Sequence, residues 1–167
     1  PNHFLINVQP EERAALLTLL EARQIPNSGL HATTRARLVA IGDRAVEPEN
    51  YSNVRARRLA AREYSLGFSA AMQPDNRILA GRWWDDGSAS EAFSVEQGLA
   101  DSLGIRLGDR LTFDVAGQTV SAPVTSLRSV SWDSFNVNFF VVGTPLLARQ
   151  LPVAYLSSLY LDEDSDA

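Results

Sequence analysis

The side chains able to do chemistry are few and widely spaced. His3 and His31 are the only imidazoles, and cysteine is absent. A nucleophile needs a base held beside it. Serine and aspartate are abundant enough to draw a Ser-His-Asp set around either histidine, but no G-x-S-x-G elbow marks such a serine. Ordinary surface histidines are therefore the favoured reading. Without cysteine there can be no disulfide, zinc–thiolate site or thiol nucleophile. Carboxylates remain, yet no EF-hand spacing occurs, and Asp85-Asp86 stands among turn-forming residues, where Asp is expected for backbone reasons. Acid/base work by a carboxylate pair stays open, because partners distant in sequence can meet in space. Gly104-Ile105-Arg106-Leu107-Gly108 lacks the Lys-Ser/Thr end of a phosphate loop and follows a helical pattern, not a strand. The expectation is a chain that is not an enzyme. It nominates no catalytic residue, no cofactor-binding residue and no metal ligand, and implies no cofactor.

Cations and aromatics offer binding instead of catalysis. Arg55, Arg57, Arg58 and Arg62 could face anionic lipid headgroups or a protein partner, or could be a solvated helix face, the favoured alternative on an acidic chain. Trp83, Trp84 and Trp132 could be contact anchors, or core rings with the indole N–H satisfied, which is favoured. A net charge of −5 and a pI near 5.0 argue against a grip on nucleic acid. With 45% hydrophobic and 21% charged residues the composition is that of a globular domain, and no apolar run approaches the ~20 residues of a membrane span.

The elements follow from periodicity. Residues 3–8 read as a strand, and Pro10 with Glu11 and Glu12 opens an amphipathic helix through residue 23. Residues 34–41 alternate as a strand that turns at Gly42-Asp43, so the opening is β-α-β. Strands are expected at 63–69 and 78–84, and Ser94 with Gln97 forms a capping box for a helix ending at Gly104. Residues 110–115 and 118–127 form a hairpin, with Pro123 placing its strand at an edge or a bulge. Further strands are expected at 128–132 and 137–142. A helix capped by Thr144 and a strand at 153–161 complete a second β-α-β. The fold class is α+β: two β-α-β halves split by a mainly-β insert with one helix. The chain starts at Pro1 and not Met, which suits a mature or excised piece. The acidic residues 162–167 read equally as the start of another helix or as a solvated tail.

Ordered blocks carry a family resemblance. They are Phe4-Leu5-Ile6-Asn7-Val8-Gln9-Pro10, Arg35 to Ile41, Arg57-Arg58-Leu59, Arg62-Glu63-Tyr64 and Ala80-Gly81-Arg82-Trp83. Ser94 to Leu99, Leu103-Gly104, Leu107-Gly108-Asp109, and Phe113-Asp114-Val115-Ala116-Gly117 continue the series. Val124 to Arg128, Trp132-Asp133-Ser134 and Val137 to Phe140 complete it. In order and spacing, over nearly the whole chain, these resemble the second periplasmic domain of YbbP-type ABC-transporter permeases of the MacB/FtsX/LolE superfamily.

That resemblance implies a porter-like subdomain, its first half at residues 1–47 and its second at 135–167, with a Sabre-like insert at 48–134 between them. Family members continue past the last strand into another helix and strand, so the second half would be truncated here. The resemblance also implies a periplasmic domain of a bacterial inner-membrane protein, joined through membrane segments to a cytoplasmic ABC ATPase subunit. Its role would be to couple ATPase-driven conformational change to a hydrophobic or lipid-type cargo or to a periplasmic esterase/thioesterase; nucleic acid is not expected. The alternatives are a soluble periplasmic adaptor or binding protein of the same fold, and a small Ser/His hydrolase.

Overall fold

Long alternating runs set the architecture. In the computed structural model, residues 3–27, 29–85, 90–133, 136–159 and 161 are described. Asp86, Ser134, Tyr160 and the acidic stretch 162–167, on which some expectations fall, lie outside them. The strands are β1 (His3–Val8), β2 (His31–Ile41), β3 (Arg44–Ala45), β4 (Glu63–Phe68) and β5 (Asn76–Gly81), then β6 (Phe93–Glu96), β7 (Arg110–Val115), β8 (Gln118–Val130), β9 (Val141–Gly143) and β10 (Ala154–Leu159). The helices are α1 (Arg13–Ala22), α2 (Val54–Ala61), α3 (Gln97–Leu103) and α4 (Pro145–Ala148), with 3-10 turns at Pro10–Glu12 and Pro48–Asn50.

All ten strands join one sheet, and six of them form a ring. β2 pairs with β4, β4 with β9, β9 with β6, β6 with β8, β8 with β7, and β7 again with β2. Arg37 has Glu63 and Asp114 as partners at once, so β4 and β7 flank opposite sides of β2 and the ring closes. Closure removes sheet edges that would otherwise template association. The pairs β4–β9 and β6–β8 are parallel, and the other four are antiparallel. Leu38, Leu66, Phe93, Val95, Leu111, Phe113, Val124 and Val141 belong to the main buried core, together with Leu99 and Leu103 of α3 and Leu59 of α2. A second cluster gathers Trp84, Ala92, Val137, Phe139 and Val142.

Outside the ring, β1 pairs with β10 and β10 with the first residues of β2, so both ends of the chain meet in a three-stranded extension. β5 pairs along the second half of β8. Helix α1 is lightly seated: Leu20 is buried, while Leu17 and Leu19 remain exposed. Among the described residues no helix is long and apolar enough to cross a membrane.

Several local expectations are corrected. Ser94 does not cap a helix; it lies inside β6, fully buried, and the cap of α3 is Glu96, whose carboxylate accepts from Gly98 N at 2.9 Å and Leu99 N at 2.7 Å. The helix starts two residues later than a Ser94 cap would place it, and a carboxylate takes up its first free donors. Residues 128–132 are not a separate strand, since β8 runs unbroken to Val130. Among the described residues, 48–134 carry two α-helices, α2 and α3, where one was expected. The strand expected at 137–142 begins only at Val141. His31 opens β2, and Trp83 and Trp84 fall beyond the end of β5. Pro123 does mark an irregularity. Phe93 stands opposite Val124 but Ser94 opposite Ser126, leaving Thr125 as a bulge.

Candidate functional site

The Thr125 bulge reverses the alternation of β8, and so sets Ser126 and Arg128 beside Ser94 and Glu96 of β6. All three of Ser94, Ser126 and Arg128 have no exposed surface. A guanidinium out of water must satisfy its donors, and this one does so on neutral acceptors. Nε donates to Ser94 Oγ at 3.2 Å, Nη1 to Asn76 Oδ1 at 3.0 Å, and Nη2 to the Phe139 carbonyl at 2.7 Å and the Phe140 carbonyl at 3.2 Å. Ser126 Oγ completes the group by donating to Ser94 Oγ at 2.7 Å. Burial pulls the Arg128 pKa down to about 10, opposed by the Glu96 carboxylate, so the side chain is cationic at neutral pH.

What Arg128 grips is the segment 136–140 that leads into β9. The same segment is tied by Asn138, whose Nδ2 donates to Asp75 Oδ2 at 2.8 Å and whose Oδ1 accepts from Asn76 Nδ2 at 2.7 Å. Phe139 lies against the bare backbone of Gly67, where an added Cβ would stand 2.3 Å from the ring. A strap is thus held across β4 largely by side chains, with one main-chain bond, from Glu96 N to the Phe140 carbonyl at 2.8 Å, tying its end to β6.

Beside the strap, the open face of the β1–β10–β2–β4 sheet forms a groove of about 650 Å³, whose lining includes Ile6, Thr33, Arg35, Glu63, Ala154 and Leu156. A smaller groove continues along it between Phe4, Trp132 and the strap. Phe4 and Ile6 are 57% and 75% exposed on this face. Arg35 and Glu63 form an exposed ion pair at 3.4 Å, and Thr33 Oγ1 is buried without a hydrogen-bond partner. The groove can hold an apolar ligand or chain segment; its size lies in the range of small-molecule sites.

The residues weighed from sequence are dispersed. His3 is exposed on β1, and His31 lies 3.2 Å by Nδ1 from Gln73 Nε2. Asp85 forms a surface pair with Arg82 at 3.5 Å. Gly104 takes the left-handed conformation, φ 74°, that ends α3, and Gly108 turns with φ 87°. Arg55, Arg57 and Arg58 are exposed on α2, while the Arg62 guanidinium stacks over the Tyr64 and Phe140 rings at 5.2 and 5.3 Å. Trp83 Nε1 donates to the Ala70 carbonyl and Trp84 Nε1 to the Ser69 carbonyl, at 2.9 and 3.0 Å, as expected of packed indoles. Trp132 is 49% exposed, against that expectation. Sequence reasoning missed Arg128; the signal available was a serine and then a cation continuing the alternate apolar positions Val120, Ala122 and Val124.

No protein-family model matches the chain. Over 158 residues it is 36% identical to the uncharacterized ABC transporter permease YbbP of Escherichia coli (strain K12), a match covering 95% of this chain and 18% of that protein. The chain therefore spans under a fifth of the length of this curated relative. The crystal structure of a domain of a permease protein from Porphyromonas gingivalis aligns over 87% of this chain and 66% of its own, with a TM-score of 0.37 and 14% identity. The similarity to YbbP-type permeases read from the ordered blocks is shown along nearly the whole sequence.

Proposed function

We propose, from the premise that the chain is a segment of a YbbP-like ABC transporter permease, that it is the permease's non-catalytic periplasmic domain. In this reading it passes ATPase-driven movement to a hydrophobic or lipid-type substrate, or to a periplasmic partner enzyme. The observation that carries it is the 36% identity spread over 158 residues. The β-α-β elements of residues 1–47 and 135–167 form the porter-like part, supported by the pairing of β1 with β10 and β10 with β2. Residues 48–134 form the Sabre-like insert. A cytoplasmic ATPase subunit reaches the domain only through membrane segments of the permease. The strap and the groove beside it are where movement and cargo would meet.

The chain has no cysteine, which makes the location testable with a single introduced thiol. Gln118→Cys, exposed at the start of β8, is placed in the full-length permease, any cysteines elsewhere being removed. In intact cells a membrane-impermeant maleimide should label it. Labelling only after lysis overturns the periplasmic reading.

A further inference from the structure

Helix α2 is amphipathic in an unusual sense. Ala56, Leu59 and Ala60 are buried, and the opposite face is made of Arg55, Arg57, Arg58, Ala61 and Val54, the last 55% exposed. At 100° per residue Arg55 and Arg58 fall on one flank and Arg57 on the other, with Val54 and Ala61 between them. Among the described residues none of these three guanidiniums makes a hydrogen bond or an ion pair. Three uncompensated cations crowd eight residues of a chain whose net charge is −5. The helix is fixed at its start by Asn53, whose Oδ1 accepts from Arg55 N at 2.8 Å and Ala56 N at 3.2 Å, so the charges are presented on a rigid element.

We infer that this face of α2 docks on an anionic phospholipid surface. A cationic face on an acidic chain complements an anionic partner, and its form favours a lipid surface over an acidic protein. Specific protein sites are built on aromatic or large apolar anchors set in pockets. This face is convex, its apolar residues are small, and the grooves described above do not reach it. Charges spread about a small apolar tip suit a headgroup layer, which takes cations without fixed stereochemistry. The acidic remainder of the chain is repelled by the same surface, so contact is confined to α2 and the domain is oriented by it. The inference uses the permease reading only for the nearness of a bilayer, and the assay does not depend on that reading.

The test is flotation of the 167-residue protein with phosphatidylglycerol/phosphatidylcholine vesicles and with pure phosphatidylcholine vesicles. Binding to the anionic vesicles alone is expected, weakening as salt rises. Each arginine contributes about a fivefold factor in partitioning, so Arg55→Gln/Arg57→Gln/Arg58→Gln should lose about a hundredfold. The triple Arg→Lys variant should bind like the wild type, because a diffuse layer reads charge and not guanidinium geometry. Circular dichroism confirms that the variants fold. Absence of flotation, equal flotation of the Gln variant, or loss of binding in the Lys variant overturns the inference. Retention on immobilised polyglutamate without flotation overturns it in favour of an acidic polypeptide partner.

Discussion

Replacing Arg128 by Met asks whether the buried cation holds the strap. Methionine keeps much of the stem's volume and removes every donor. The Phe139 carbonyl, Asn76 Oδ1 and Ser94 Oγ lose charged partners now at 2.7, 3.0 and 3.2 Å. At about 1.5–3 kcal/mol for each bond from a charged donor, the three contribute about 6 kcal/mol. Burying the guanidinium opposes this. Lowering its pKa from 12.5 to about 10 corresponds to a penalty of about 3 kcal/mol on the charged form. The difference leaves Arg128→Met less stable by about 3 kcal/mol, a fall in Tm of roughly 6–12 °C for a chain of this size. Urea titration followed by circular dichroism measures the loss, and hydrogen exchange at residues 136–140 shows where it acts. A change below about 0.5 kcal/mol, or unaltered exchange in that segment, would show that Arg128 does not hold the strap.

Two further outcomes follow from the same neighbourhood. Gly67→Ala drives a methyl to 2.3 Å from the Phe139 ring; because the strap is tied at Asn138 and Arg128, the clash should cost about 1–3 kcal/mol, with the added Phe139→Leu change restoring part of it in the same urea titration. Tyr64 donates its hydroxyl proton to the Leu59 carbonyl, and burial, partly offset by the Arg62 guanidinium, pushes its pKa up to about 12. The unfolded chain ionises near 10, so the Tyr64 contribution is complete below that pH and is lost between about 10 and about 12. Arg128, with a lowered native pKa, slopes the opposite way above about 10. Tyr64→Phe should therefore flatten the alkaline fall in the urea midpoint, and an unchanged fall would count against the assignment.

Much of the fold was legible because its elements carry strong local signals. Clean alternation in residues 110–115, Ala116-Gly117 between two strands, and Gly104 after Leu103 each have one good local solution. The ring was not legible, since it depends on β2 taking β4 on one side and β7 on the other, and no local pattern encodes which strands become neighbours. The Arg128 site was hidden by the bulge at Thr125. Unbroken alternation puts Ser126 and Arg128 in phase with Val120, Ala122 and Val124, and only the pairing with β6 shows the phase reversing. Ser94 misled for a related reason: Ser and Gln at capping-box spacing also suit a buried strand residue followed by a glutamate cap. The groove could not be read from sequence at all, because it is assembled from β1, β2, β4 and β10, far apart along the chain.

The proposed role has this domain moving with the ATPase cycle of a permease. Its most direct test is a distance measured by pulsed electron spin resonance in the full-length permease assembled with its ATPase subunit. One spin label sits at Gln118→Cys and the other on the membrane-embedded part. Such movement gives a different distance distribution in the ATP-bound and nucleotide-free states. Identical distributions in both states would contradict it.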